Sequence, residues 1–167
     1  MKKKPPTARK QLDGFIAKFT PQVAGVARKA LVKMRARLPG AVELVYDNYN
    51  ALAIAFSPTD RLGDVVCSIA LYPRWVSLFL MNGPSLPDPR KLLQGSGSRV
   101  RHIVLEDATT LDDPAVVAIL EHAVGRAKKP FGPRTAARLI VKSVSAKQRP
   151  RRPGKDLRKG GLGRGRA

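Results

Sequence analysis

The sequence predicts an α+β fold in which an antiparallel sheet carries helices packed on one face. Two patterns and one set of punctuation marks lead there. Residues 51–81 contain three segments in which apolar and small residues alternate with a period of two, the signature of strands with one face buried. Residues 9–38 instead space their apolar residues at helical intervals. Between these segments fall Thr20-Pro21, Pro39-Gly40 and the cluster Ser57–Gly63, which start helices or turn the chain.

Taken in order, residues 1–8 hold three lysines and two prolines with nothing to bury, and disorder is expected. Leu12, Phe15, Ile16 and Phe19 make a first helix despite Gly14. Thr20 caps a second helix with Pro21 at its first position, where proline's missing N–H costs no hydrogen bond. Val23, Val26, Ala27, Ala30, Leu31, Met34 and Leu38 share its buried side. Val42–Tyr46 suits a short strand or a half-buried turn. Ala51–Phe56, Asp64–Tyr72 and Trp75–Met81 are the three clear strands. Asp88-Pro89 is expected to cap a short helix to Leu93, Gly95–Ser98 to turn, and His102–Leu105 to form a further strand. Asp112 or Asp113 caps a helix running to about Ala127, with Val116, Val117, Ile119, Leu120 and Ala123 buried. Leu139–Val144 fits either a strand or the continuation of a helix from Thr135.

The alternation also sets a register. Pairing Leu71 with Val76 brings Ile69 to Leu78 and Cys67 to Leu80, all on one side. Pro73 excludes a two-residue hairpin turn, because its φ is fixed negative, so a four-residue loop over Tyr72–Trp75 is expected. Pairing Phe56 with Val65 and Ile54 with Cys67 extends the same aliphatic side. The opposite side carries Ala51, Ala53, Ala55, Ser68, Ala70 and Ser77, bordered by Tyr72, Trp75 and Phe79. Such a face accepts a closely packed helix or forms a shallow groove.

Charge separates the ends from the middle. The chain has 32 Lys and Arg against 12 Asp and Glu, a net +20. Residues 1–10 contribute +5 and residues 130–167 contribute +11, which leaves +4 over 11–129. Basic ends on a nearly balanced globule point to a polyanionic partner, RNA or DNA, met by residues 147–167 as a disordered tail. The candidate contacts are Arg149, Arg151, Arg152, Lys155, Arg158, Lys159, Arg164 and Arg166. A merely solubilising tail is the plain alternative. Residues 128–146 form a basic linker or extension between the domain of residues 9–127 and this tail.

Cys67 is the single cysteine, so neither an intrachain disulfide nor a cysteine zinc site can form. The N-terminal MKKKPPTARK lacks the apolar stretch of a secretory signal, and no 18-residue apolar run exists to span a membrane. A reduced, cytoplasmic setting is expected. The Lys-Pro character disfavours a transit peptide. His102 and His122 have no ligand-spaced partner, and no triad or paired-carboxylate pattern stands out, so no catalytic residue, metal or cofactor is assigned.

Residues 92–101 place Leu92, Leu93, Gly95, Gly97 and Arg101 in a Leu-Leu-x-Gly-x-Gly turn followed by Arg, ahead of a strand. Together with LDGFIAKF at 12–19 and LPGAVELVYDNYNALAIAF at 38–56, this pattern resembles the YdhG-like family, over roughly residues 10–127. The resemblance implies a YdhG-like α+β fold and recurrent Glu43 and Tyr46, and little biochemistry. Some family members are called iron chaperones by likeness to frataxin. That role needs an acidic surface of oxygen ligands, which the basic first helices here do not offer.

Two features bear on ligand binding. A shallow small-ligand or peptide pocket is expected near Tyr46, Tyr49, Tyr72 and Trp75, made polar at one end by Glu43 or by Arg101, a residue also placed to pair with Glu43; a buried Glu43 that accepts backbone or tyrosine hydrogen bonds is the preferred plain reading. The Gly95-Ser-Gly97-Ser loop offers backbone N–H groups to a phosphate, but it lacks the spacing of a phosphate-binding loop and leads into a strand, so a structural turn is the preferred reading.

Overall fold

The computed structural model describes residues 2–154. Residues 2–7 are exposed and form no helix or strand. Thr7 caps the first helix, α1 (Ala8–Ala17), its hydroxyl accepting the Lys10 N–H at 3.2 Å. Thr20 does the same for Val23 at the start of α2 (Pro21–Arg37), at 3.3 Å. Ala24, Ala27 and Ala30 let α2 lie close on the sheet, between the larger Val23, Leu31 and Met34. The chain leaves α2 through Gly40 at φ 83, where a side chain would also collide with the backbone of Gly132.

Six strands follow in one sheet: β1 (Val42–Asp47), β2 (Leu52–Ser57), β3 (Cys67–Leu71), β4 (Val76–Met81), β5 (Val100–Leu105) and β6 (Arg138–Val144). Their spatial order is β5-β4-β3-β2-β1-β6. The first five are antiparallel neighbours, whereas β6 runs parallel to β1. The sheet is therefore mixed, not purely antiparallel. Leu139–Val144 belongs to a strand because Leu139 and Val141 pack on the helix side while Ile140 packs on the other, which a helix would not allow. In that position β6 covers an edge of β1 that would otherwise be unpaired. The region expected as a linker is thus part of the sheet.

Between β3 and β4 the expected register is found: Leu71 opposite Val76, Ile69 opposite Leu78, Cys67 opposite Leu80, with Tyr72–Trp75 as the loop. Between β2 and β3 the register differs by two residues, Phe56 pairing with Cys67 and Ile54 with Ile69. Leu62–Asp64 form a 3-10 turn within the expected turn region that also takes Asp64, and β3 begins only at Cys67. A two-residue shift leaves every side chain on its expected face. The helix expected after Asp88 is replaced by a turn. The Asp88 carboxylate accepts the N–H groups of Leu92 and Leu93, both at 2.8 Å, and Lys91 at φ 54 breaks any helical run. Asp113, not Asp112, caps α3 (Pro114–Gly125) through the Ala115 N–H.

All three helices contribute to one core with the sheet. Leu12 and Ile16 of α1, the apolar stripe of α2, and Val116, Ile119 and Leu120 of α3 meet Ile54, Phe56, Cys67, Ile69, Leu78 and Leu80. No described helix lies on the opposite sheet face, which has only a small cluster of Val42, Leu44 and Ala55 with Tyr46, Val65 and Ile140 beside it. The result is two layers, with one sheet face covered and one open. After β6 the chain crosses back over the end of β1, where Ser145 donates to the Asp47 carbonyl and Arg149 to that of Tyr49. Disorder from Lys147 onward does not hold for residues 147–154, because Arg151 is buried against Asp47.

Candidate nucleic-acid interface

The folded domain is strongly basic, and most of its acids are bonded within the fold. Five of the 32 Lys and Arg and one of the 12 acids lie beyond Gly154, so residues 2–154 carry 27 against 11, a net +16. Glu43 is buried and accepts Arg35 in a bidentate pair at 2.8 and 3.1 Å. Asp47 pairs with Arg151 at 2.8 Å. Asp88 and Asp113 cap turns or helices, and Asp107 accepts from Thr109. Asp112 receives Lys33 and Arg37, and the Lys33 hydrogen bond leads in holding its carboxyl below the usual range. Asp64 is likewise lowered, chiefly by the Thr59 hydroxyl. Only Asp13, Asp60, Glu106 and Glu121 have no side-chain bond among the described residues. Most of the cations therefore have no internal partner. No group of three His, Cys, Asp or Glu side chains converges as a metal site among the described residues.

The open sheet face has a distinct composition. Its floor is Ala53 on β2 with Ser68 and Ala70 on β3, small residues whose side chains leave the backbone near the surface. Phe79 borders it from β4, Tyr72 from the β3–β4 loop, and Tyr49 from the β1–β2 loop. Together they enclose a shallow depression of about 400 Å³. Trp75 stacks on Tyr72, with ring centroids 4.8 Å apart, and His102 lies against Phe79 at 5.3 Å. Partial burial raises the Tyr72 hydroxyl above its usual range, so the ring is a neutral phenol at ordinary pH. Asn48 and Asn50 form the polar end, and Arg149 reaches the Asn50 amide oxygen at 3.5 Å.

The depression joins some of the expected residues and excludes others. Tyr49 and Tyr72 line it and Trp75 backs it, while Tyr46 faces the same side but packs beside Val42, Leu44 and Ile140. Glu43 faces the helix layer, opposite Phe56 in register, so it supplies no polar end. Arg101 pairs opposite Leu80 on that same covered side, four strands away from β1, and cannot reach Glu43. Its guanidinium instead donates to the carbonyls of Gly97 and Val100, and Gly95 turns the loop at φ 116. The loop is therefore held by its own arginine. Phe79 and His102 complete the aromatic border, and their opposition depends on a β4–β5 register that the long intervening connection concealed.

The basic candidates also divide. Arg151 is not a free contact: its side chain is 4% exposed and bonded to Asp47, Asn48 and Tyr49. Arg152 donates to the Lys18 carbonyl at 3.2 Å but remains exposed. Arg149 lies at the depression. Lys155, Arg158, Lys159, Arg164 and Arg166 lie outside the described residues. Cys67 is fully buried and its thiol is pushed up to about 12 by burial, so it offers no thiolate nucleophile. No described helix is long and apolar enough to cross a membrane. No family model, curated protein or solved structure matches this chain.

Proposed function

We propose that this chain is a non-enzymatic, cytoplasmic binding domain of YdhG-like kinship that holds nucleic acid through its basic surface and its C-terminal basic segment. The observation that carries the reading is the net +16 of residues 2–154, on a domain whose acids are mostly bonded inside the fold. Cations without internal partners gain most from a polyanion, since each phosphate contact releases condensed counterions. The alternative, a small ligand or iron, has weaker support. The depression is open along one side, whereas small-molecule sites bury most of their ligand. The acids left without bonds, Asp13, Asp60, Glu106 and Glu121, are dispersed along the chain.

Titrating labelled oligonucleotides at several salt concentrations tests this. The intact chain should bind with log affinity falling against log salt at a slope on the order of −5, about six phosphates neutralised. Removing residues 155–167 takes away five Lys or Arg and should make the slope shallower. Failure to bind at low salt, or an affinity indifferent to salt, would refute the reading.

A further inference from the structure

Resting on that reading, we infer that the open sheet face seats unpaired bases, so that the ligand is single-stranded nucleic acid rather than duplex. The first ground is the exposure of aromatic rings on this face. Tyr49, 54% exposed, borders a floor of Ala53, Ser68 and Ala70, and Trp75, 44% exposed, stacks behind the Tyr72 that lines it. Small floor residues let a flat ring approach the sheet closely, and the standing aromatics offer it faces to stack against. Base faces stack on aromatic side chains with little regard to sequence, but a duplex keeps those faces within its own stack.

The second ground is charge. Every Asp and Glu within the described strands, Glu43 and Asp47, faces the covered side with Phe56 and Leu52. The strand side chains facing the open side therefore include no carboxylate. Cations stand at its borders instead. Arg74 lies in the loop between the stacked Tyr72 and Trp75. Arg149 is fixed at the Asn50 end by its N–H on the Tyr49 carbonyl, 3.0 Å away. Arg138 precedes Ile140 by two residues on β6 and so shares its open side. An apolar floor with aromatic walls and a cationic rim fits the two parts of a single strand, its bases and its phosphates. Asn48 and Asn50 add donors and acceptors for base edges.

Trp75 is the only tryptophan, so intrinsic fluorescence reports on this face alone. The test titrates the full chain with oligo(dT), oligo(U) and a duplex of equal length at one low salt concentration. Single strands should quench Trp75 and bind more tightly than the duplex. Tyr72→Ala and Phe79→Ala should each weaken single-strand binding about tenfold and leave duplex binding unchanged. Equal binding of both forms with Trp75 unquenched would overturn the inference while leaving the electrostatic reading intact. Absence of binding to either form would overturn both. Concentration-dependent dimerisation that hides Trp75 from an added quencher would assign the face to a second copy of the chain, and would overturn the inference too. The wild-type quenching does not depend on how well the variants fold.

Discussion

Arg151→Ala should destabilise the fold by about 3 kcal/mol or more, the range for breaking one partner of a buried ion pair. Asp47 is 1% exposed and Arg151 6%, so neither charge can turn to water when the other is lost. The guanidinium also donates to the carbonyls of Asn48 and Tyr49, of which Asn48 would lose its partner while Tyr49 keeps the Arg149 N–H, and it lies 5.6 Å from the centre of the Phe19 ring. Lys18, 3.8 Å from the second Asp47 oxygen and half-exposed, replaces only part of that attraction. Two truncations locate the effect. Deleting residues 155–167 leaves every described contact in place and should hardly move the urea midpoint. Deleting 147–167 removes Arg151 and should reproduce the loss seen with Arg151→Ala. If the longer truncation unfolds at the midpoint of the intact chain, the Arg151 contact contributes nothing to stability.

Phenylalanine substitutions on the two sides of the sheet should differ widely. Phe56 is fully buried beneath the helices, and Phe56→Ala should cost about 3–5 kcal/mol by removing a packed ring and leaving a cavity. Phe79 is half-buried on the open face, where lost area can be taken up by water, and Phe79→Ala should cost roughly 1 kcal/mol. Thermal melts should then separate the two variants by several degrees, at about 2–4 °C per kcal/mol for a domain of this size. Equal losses would mean that the second face is packed as tightly as the first.

The same two faces show what the sequence disclosed. Alternation in Cys67–Leu71 and Val76–Met81 was enough for both the facing and the β3–β4 register, since a short loop ties the two strands together. Thr20-Pro21 marked the start of α2 because its capping chemistry is local. The β2–β3 register was shifted because the turn extends through Asp64 and β3 starts only at Cys67, a boundary that alternation does not encode. β6 pairs with β1 across more than 90 residues, and parallel pairing of that kind leaves no local mark. Arg151 was hidden for a related reason. In a segment rich in Arg, Pro and Gly, composition marks each arginine as solvated, and its partner Asp47 lies 104 residues earlier. Tyr49, Tyr72 and Trp75 were legible as candidates because large aromatics beside small alternating residues are conspicuous. Glu43 is buried as the plain reading has it, but its partner is Arg35, which approaches only after the chain reverses at Gly40, and not a backbone group, a tyrosine or Arg101.

Ultraviolet crosslinking of the full chain to oligo(dT), followed by mass spectrometry of the crosslinked peptides, tests the central claim most directly. If the open face carries the strand, crosslinks should map to Tyr49, Tyr72, Trp75 and Phe79, with basic peptides from the C-terminal segment alongside. Crosslinks confined to α2, α3 or the termini, with those four aromatics untouched, would contradict it.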